Sequence, residues 1–218
     1  KAGQLIGQAA GFVSANVHSP VSGQVTAVDS VPDAGGIRRI AVTIRREGDE
    51  WADGIDCGDT LIKECYLTDE EIIARITAAG IVGMGGATFP TQVKLSVPPG
   101  KRAEYLIVNG AECEPYLTAD YRTMLERGAE VLVGIDILCR ALGVTKAFIG
   151  IENNKPDAVS HLTALAIGYP QIEIVPLRTK YPQGGEKQLI QALLGREVPS
   201  GGLPIDVGAV VQNIGTAF

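Results

Sequence analysis

Residues 83 to 94 read Gly-Met-Gly-Gly-Ala-Thr-Phe-Pro-Thr-Gln-Val-Lys, with three glycines in the first four positions. Glycine takes positive φ without steric cost and lets a ligand approach the bare backbone. Pro90 suits the first turn of a helix, and Thr88 suits an N-cap. A glycine turn that runs into a helix start offers free N–H groups to an anion. Lys94, about one turn further on, adds a full positive charge. The chemistry this predicts is phosphate binding. The spacing matches neither G-x-G-x-x-G nor G-x-x-x-x-G-K-[ST], and a plain turn between two elements is the alternative reading of the same residues.

Other polar residues stand at the ends of apolar runs. Tyr105-Leu106-Ile107-Val108 reads as a strand buried on both faces. It ends on Asn109, at the carboxyl end where open α/β sheets bind ligands. Glu112 and Glu114 follow in a loop that is either part of the site or simply solvated. Tyr181-Pro182-Gln183-Gly184-Gly185-Glu186 forms a second glycine-rich corner that opens a helix over 187–194. Residues 207–211 read as a last strand, which delivers Asn213 and Thr216.

The elements that position these residues follow a strand–helix order. Thr68 and Glu71 form a capping box for a helix that runs to about Ala79 and stops at Gly80. Residues 120–142 are helical, divided at Gly128, with a core stripe of Val131, Leu132, Ile135, Leu138, Cys139 and Leu142. Strands are predicted over 147–151 and 172–175, with a helix between them capped by Asn154 and carrying Lys155 and Pro156 in its first turn. Alternating strands and helices imply a mainly parallel sheet with right-handed crossovers. Residues 1–66 are instead strand-like throughout, over 11–17, 23–28, 37–44 and 60–62, with a turn cluster from His18 to Gly23. His18 reads as a surface or packing residue. The expected fold class is α/β: a mainly parallel Rossmann-like sheet over 67–218, preceded by a small all-β domain over 1–66.

Composition narrows the function. The net charge is −6 across 218 residues, and no basic cluster offers a nucleic-acid surface. The four cysteines, Cys57, Cys65, Cys113 and Cys139, show no C-x-x-C spacing, so no metal site is expected and the thiols read as reduced. Apolar runs such as 131–138 are interrupted by Gly134 and Asp136, far short of the ~20 residues of a bilayer span. No signal peptide is evident.

Residues 83–94 closely resemble the G-x-G-G-[AT]-x-F-P-T-x-x-K signature of the flavin-binding subunit of respiratory complex I. They resemble still more closely the C subunits of Rnf electron-transport complexes, which are ferredoxin:NAD oxidoreductases. Asn109-Gly110-Ala111-Glu112-Cys113-Glu114-Pro115, Lys180 to Glu186, and Gln212-Asn213-Ile214-Gly215-Thr216 match the same families in the same order. The resemblance to the Rnf protein extends over the whole chain. It implies FMN held by Gly83, Gly85, Gly86, Lys94, Asn109, Glu112, Asn213 and Thr216. It places Phe89, Glu114, Tyr181, Gly184 and Glu186 towards NAD(H). The implied chemistry is hydride exchange between NAD(H) and FMN, with no side-chain acid or base required.

Electrons would then pass to two 4Fe–4S clusters, which the family carries on a later C-x-x-C-x-x-C-x-x-x-C-P segment. The chain starts at Lys1 and ends at Phe218 without that segment, so it reads as an excised core. The implied partners are the other subunits of a membrane complex and, indirectly, ferredoxin, with the protein peripheral on the cytoplasmic side of the inner membrane. Two residues depart from the complex I pattern. Gly185 stands where a first Glu of a Gly-Glu-Glu is usual, and Leu95-Ser96 replaces an aromatic that helps to hold adenine. A flavin-dependent corrin reductase and a non-catalytic assembly module are the alternatives.

The segment Pro20-Val21-Ser22-Gly23-Gln24-Val25, after Gly3-Gln4-Leu5-Ile6-Gly7, resembles the barrel-sandwich hybrid of biotinyl and lipoyl carriers. Carriers present a lysine at a hairpin tip, and the equivalent turn, 12–19, has none. Intact mass of the protein from its native host is therefore expected to show no biotinyl or lipoyl adduct on residues 1–66; such an adduct would contradict this reading.

Overall fold

A computed structural model describes residues 1–218. In it the chain divides into one unit made of Lys1–Thr60 and Ala78–Gly80 and a second made of Leu61–Thr77 and Ile81–Phe218.

The first unit holds two antiparallel pairs. β1 (Leu5–Gly7) pairs with β2 (Val17–His18), and β3 (Gly23–Pro32) pairs with β4 (Arg38–Arg46). The β3–β4 turn is built by Asp33, whose Oδ1 accepts from the N–H groups of Gly35 and Ile37, both at 2.9 Å. Gly23 has φ +153°, and a Cβ there would meet the Arg45 carbonyl oxygen at 2.1 Å, so only glycine permits this pairing. Two expected strands are corrected. Residues 11–16 form no strand; the segment folds back on the residues before it, with Ala9 N donating to Asn16 Oδ1 and Ala10 N to Ser14 Oγ. Thr60-Leu61-Ile62 is irregular too; Ile62 is exposed and no strand lies beside it to pair with.

The second unit starts on α1 (Asp69–Ala79), whose capping box forms as expected: Thr68 N donates to Glu71 Oε2 at 2.8 Å and Glu71 N to Thr68 Oγ1 at 3.3 Å. The left-handed Gly80, at φ +69°, ends it. The order continues with α2 (Thr91–Leu95), β5 (Tyr105–Gly110), α3 (Ala119–Glu126), α4 (Gly128–Leu142), β6 (Ala147–Glu152), α5 (Pro156–Leu165), β7 (Ile172–Leu177), α6 (Glu186–Leu194), β8 (Ala209–Asn213) and α7 (Ile214–Ala217). The four strands are parallel in the order β7-β6-β5-β8. Leu106, Val108 and Val210 face one core, with Val131, Leu132 and Ile135 of α4. Ile107 and Val211 face the other, with Leu189 and Ile190 of α6. This double burial explains why the strands read as unbroken apolar runs. No helix is long and apolar enough to cross a membrane.

Two caps differ from expectation. Lys155 rather than Asn154 precedes α5, and Pro90 rather than Thr88 precedes α2. Pro90 is extended, at ψ 125°, and disfavours helix in the residue before it, so α2 cannot begin earlier.

Gly134 of α4 lies directly under α7: a Cβ there would stand 1.7 Å from the Ala217 carbonyl oxygen. Gly→Ala in an exposed helix gains about 1 kcal/mol, but here the methyl would displace α7. Gly134→Ala is expected to destabilise the chain by about 1–3 kcal/mol, a fall of about 2–4 °C per kcal/mol in thermal melting. An unchanged or raised melting temperature would contradict the packing described.

Candidate functional site

The chain leaves β5 for β6 and β7 on one side and returns as β8 on the other. The carboxyl ends of β5 and β8 therefore flank a topological switch point, the place where open α/β sheets bind ligands. Asn109 and Asn213 are register partners at that point.

The glycine loop lies over it. Its neck is closed by Gly83 N donating to Phe89 O at 2.8 Å and Thr91 N to Ile81 O at 3.0 Å. Met84 N donates to Thr216 Oγ1 at 2.9 Å. Gly85 rests on Asn213: a Cβ at Gly85 would stand 3.3 Å from the Asn213 Cβ. Gly86, at φ +103°, has open space where its Cβ would point. The N–H groups of Gly85, Gly86, Ala87 and Thr88 meet no acceptor in the protein, and all four residues are exposed. The free amides thus belong to the loop itself. The expected contribution of a helix start is corrected, since α2 has only five residues and the N–H of its first residue, Thr91, is taken by Ile81 O.

Beneath the loop, polar groups link the elements. Asn213 caps α7 by accepting from Gly215 N at 2.9 Å, and its Nδ2 donates to Asp120 Oδ2 at 2.6 Å. Glu112 accepts from Asp120 N and Tyr121 N, both at 3.0 Å, so its carboxylate anchors the start of α3. Burial holds the Asp120 carboxyl above the usual range; the Asn213 bond opposes that rise, and the Glu112 charge adds to it. Asn109 accepts from Ala111 N at 3.1 Å and donates to Gly184 O at 2.8 Å. Gly184 N donates to Cys113 Sγ at 2.9 Å, and a Cβ at Gly184 would strike Ala111 O at 2.7 Å, so this glycine is fixed by packing.

Lys94 and Glu186 meet: Nζ lies 2.9 Å from Glu186 Oε1 and donates to Val211 O at 2.9 Å. Two residues expected on opposite ligands form one ion pair, with side chains 31% and 40% exposed. Phe89, Glu114 and Tyr181 stand as exposed side chains on their loops and are not drawn into this network. Gly185 precedes α6, where a Cβ would meet the movable end of the Gln188 side chain, Oε1, at 2.5 Å.

Sequence reasoning missed Asp120, whose place near a helix start reads as an ordinary first-turn acid. It also missed the buried pair of Glu152 and Lys155, at 2.6 Å; Lys155 favours the charged form of Asp120 from across the site. Thr91 Oγ1, Gln183 Oε1 and Gln212 Nε2 are buried without a protein partner. The free amides of the exposed loop suit a phosphorylated ligand such as FMN.

Comparisons with known proteins agree with this geometry. The family model described as the Nuo51 FMN-binding domain matches residues 76–218, and that described as the RnfC barrel sandwich hybrid domain matches residues 1–49. The chain is 52% identical over 219 residues to the C subunit of the proton-translocating ferredoxin:NAD(+) oxidoreductase complex of Clostridium ljungdahlii, covering 100% of this chain and 47% of the relative. It is 49% identical to the C subunit of the Na(+)-translocating complex of Acetobacterium woodii, covering 99% of this chain and 48% of that protein. The chain thus spans about half the length of these relatives. A chain of an NAD+-reducing [NiFe]-hydrogenase in the H2-reduced state superposes with a TM-score of 0.57 at 26% identity, over 68% of this chain and 29% of that one. Free amides at the switch point of a parallel sheet and a family match over the same residues converge: the chain belongs to the Nuo51 FMN-binding domain family, in the form carried by the C subunits of Rnf complexes.

Proposed function

We propose that the chain is the FMN- and NAD(H)-binding core of the C subunit of an ion-translocating ferredoxin:NAD oxidoreductase. The observation that carries this reading is the glycine loop, whose four N–H groups find no acceptor in the protein at the β5–β8 switch point. FMN, when bound, exchanges hydride with nicotinamide and releases electrons singly. The loop built on Gly83, Gly85 and Gly86 takes the phosphate with its free amides, and Lys94 adds its charge. Asn109, Glu112, Asn213 and Thr216 serve the ribityl chain and ring edge. Phe89, Glu114, Tyr181, Gly184 and Glu186 lie on the nicotinamide side. The chain's own residues bind and orient; no side chain transfers a proton. The two 4Fe–4S clusters implied by the resemblance would be held by a cysteine segment outside these residues and would supply one-electron acceptors. The other subunits of a membrane complex are the partners, ferredoxin acts through them, and the protein sits peripherally on the cytoplasmic side of the inner membrane.

The Lys94–Glu186 pair does not stand against this. A partly exposed pair is worth about 0–1 kcal/mol, whereas a charge-assisted contact to phosphate is worth about 1.5–3 kcal/mol. Phosphate therefore outcompetes Glu186 for the amine.

Lys94→Ala is expected to weaken FMN by about tenfold to a hundredfold, less at high salt, and to leave riboflavin affinity unchanged. Glu186→Ala is expected to weaken NADH while FMN binds as well or better, because the competing carboxylate is gone. Equilibrium titrations followed by flavin fluorescence and by flavin reduction check both. Equal loss of riboflavin and FMN in Lys94→Ala, at unchanged melting temperature, would move Lys94 to the ring or ribityl chain. A tenfold loss of FMN in Glu186→Ala, with NADH reduction unchanged, would reverse the assignment of Glu186.

A further inference from the structure

We propose that Asp120 is a positioning residue of the flavin site: by taking one Nδ2 hydrogen of Asn213, its half-buried carboxylate fixes the amide that forms the floor of the glycine loop. The inference rests on the flavin reading above and adds to it a residue that touches the ligand only through Asn213.

The argument starts from what an amide can do. Asn213 has two N–H groups and two oxygen lone pairs. One N–H goes to Asp120 Oδ2 at 2.6 Å, and one lone pair takes Gly215 N at 2.9 Å. A flipped amide would set its oxygen against a carboxylate and its NH2 against a backbone N–H, so both contacts select the same orientation. One N–H and one lone pair remain. They belong to a group whose Cγ and Nδ2 stand 3.6 and 3.8 Å from where a Gly85 Cβ would be. The amide therefore lies directly under the loop, next to the free N–H groups.

Asp120 is itself held. Its backbone N is taken by Glu112 Oε1 at 3.0 Å, and its Oδ1 stands 3.6 Å from the position a Gly215 Cβ would occupy. The charges that face it are Glu112 from the β5–α3 loop and Lys155 ahead of α5. Lys155 is paired with Glu152 at the end of β6. On α3 itself the neighbour is Tyr121, whose hydroxyl donates to Asp157 of α5. Lys155 supports the ionised form of Asp120, while burial and Glu112 oppose it. The carboxyl therefore titrates above the ordinary carboxylate range. A neutral carboxyl still accepts from Asn213, but without the charge that roughly doubles the strength of such a bond. Falling pH should loosen Asn213 before the bulk of the carboxylates titrate.

The test titrates FMN and riboflavin into the 218-residue chain and into Asp120→Asn, Asn213→Ala and the double variant, reading flavin fluorescence. Riboflavin also serves for the pH profile, because it lacks the phosphate that titrates near neutrality. Asp120→Asn is expected to weaken both ligands alike, by about fivefold to twentyfold. The double variant should bind no worse than Asn213→Ala, since Asp120 acts only through that amide. Riboflavin affinity of the unsubstituted chain should fall with falling pH towards the Asp120→Asn value, with the inflection moved to lower pH in Glu112→Gln, which removes a charge that raises the Asp120 carboxyl, and lost in Asp120→Asn.

Additive losses in the double variant, or a loss for FMN alone, would overturn the proposal. So would an unchanged affinity in Asp120→Asn. If that variant does not fold, the pH profiles of the unsubstituted chain and Glu112→Gln still decide, and a flat profile overturns the proposal. Failure of the unsubstituted chain to bind either flavin would overturn the flavin reading itself, a result distinct from binding that ignores Asp120.

Discussion

The glycine loop lies close over the end of the sheet at Gly85, whose lack of a side chain eases a tight approach. A Cβ there would stand 3.3 Å from the Asn213 Cβ, a distance that forces one of the two to move. That approach brings free amides over the carboxyl ends of β5 and β8. It is held from below by Thr216, which receives the Met84 N–H, and at the neck by Gly83 and Phe89. Without the approach, the amides would be an ordinary exposed turn.

The rest of the second unit serves this contact. The return of the chain to β8 opens the crevice, and Asn213 turns the strand into α7 by capping it. Gly134 lets α7 pack on α4. Glu112 anchors α3, which carries Asp120 to the far side of the same amide. The loop surface offers partial charges, while the motif's own amine, Lys94, is parked on a weak and partly exposed pair with Glu186. Such a pair costs little to exchange for a ligand phosphate.

Much of this was legible in the sequence, for local reasons. The capping box of Thr68 and Glu71, the stop at Gly80 and the apolar runs of β5 and β6 each depend on residues close together in the chain. The parallel sheet followed from their order. What could not be read depends on partners distant in sequence. The ion pair joins residues 94 and 186, and the Asn213–Asp120 bond spans β8 and α3. The glycine loop was found by its composition, yet its free amides lie in the loop and not at the start of α2, where the Thr91 N–H is taken by Ile81 O.

The most direct test of the flavin reading is to load the chain with FMN without oxygen, add NADH in steps, and follow the visible absorbance of the flavin. The account predicts that FMN binds and that its absorbance falls in proportion to the NADH oxidised, with the loss saturating at one hydride per bound flavin. Bound FMN whose absorbance is unchanged at saturating NADH, or a chain that does not take up FMN at all, would contradict it.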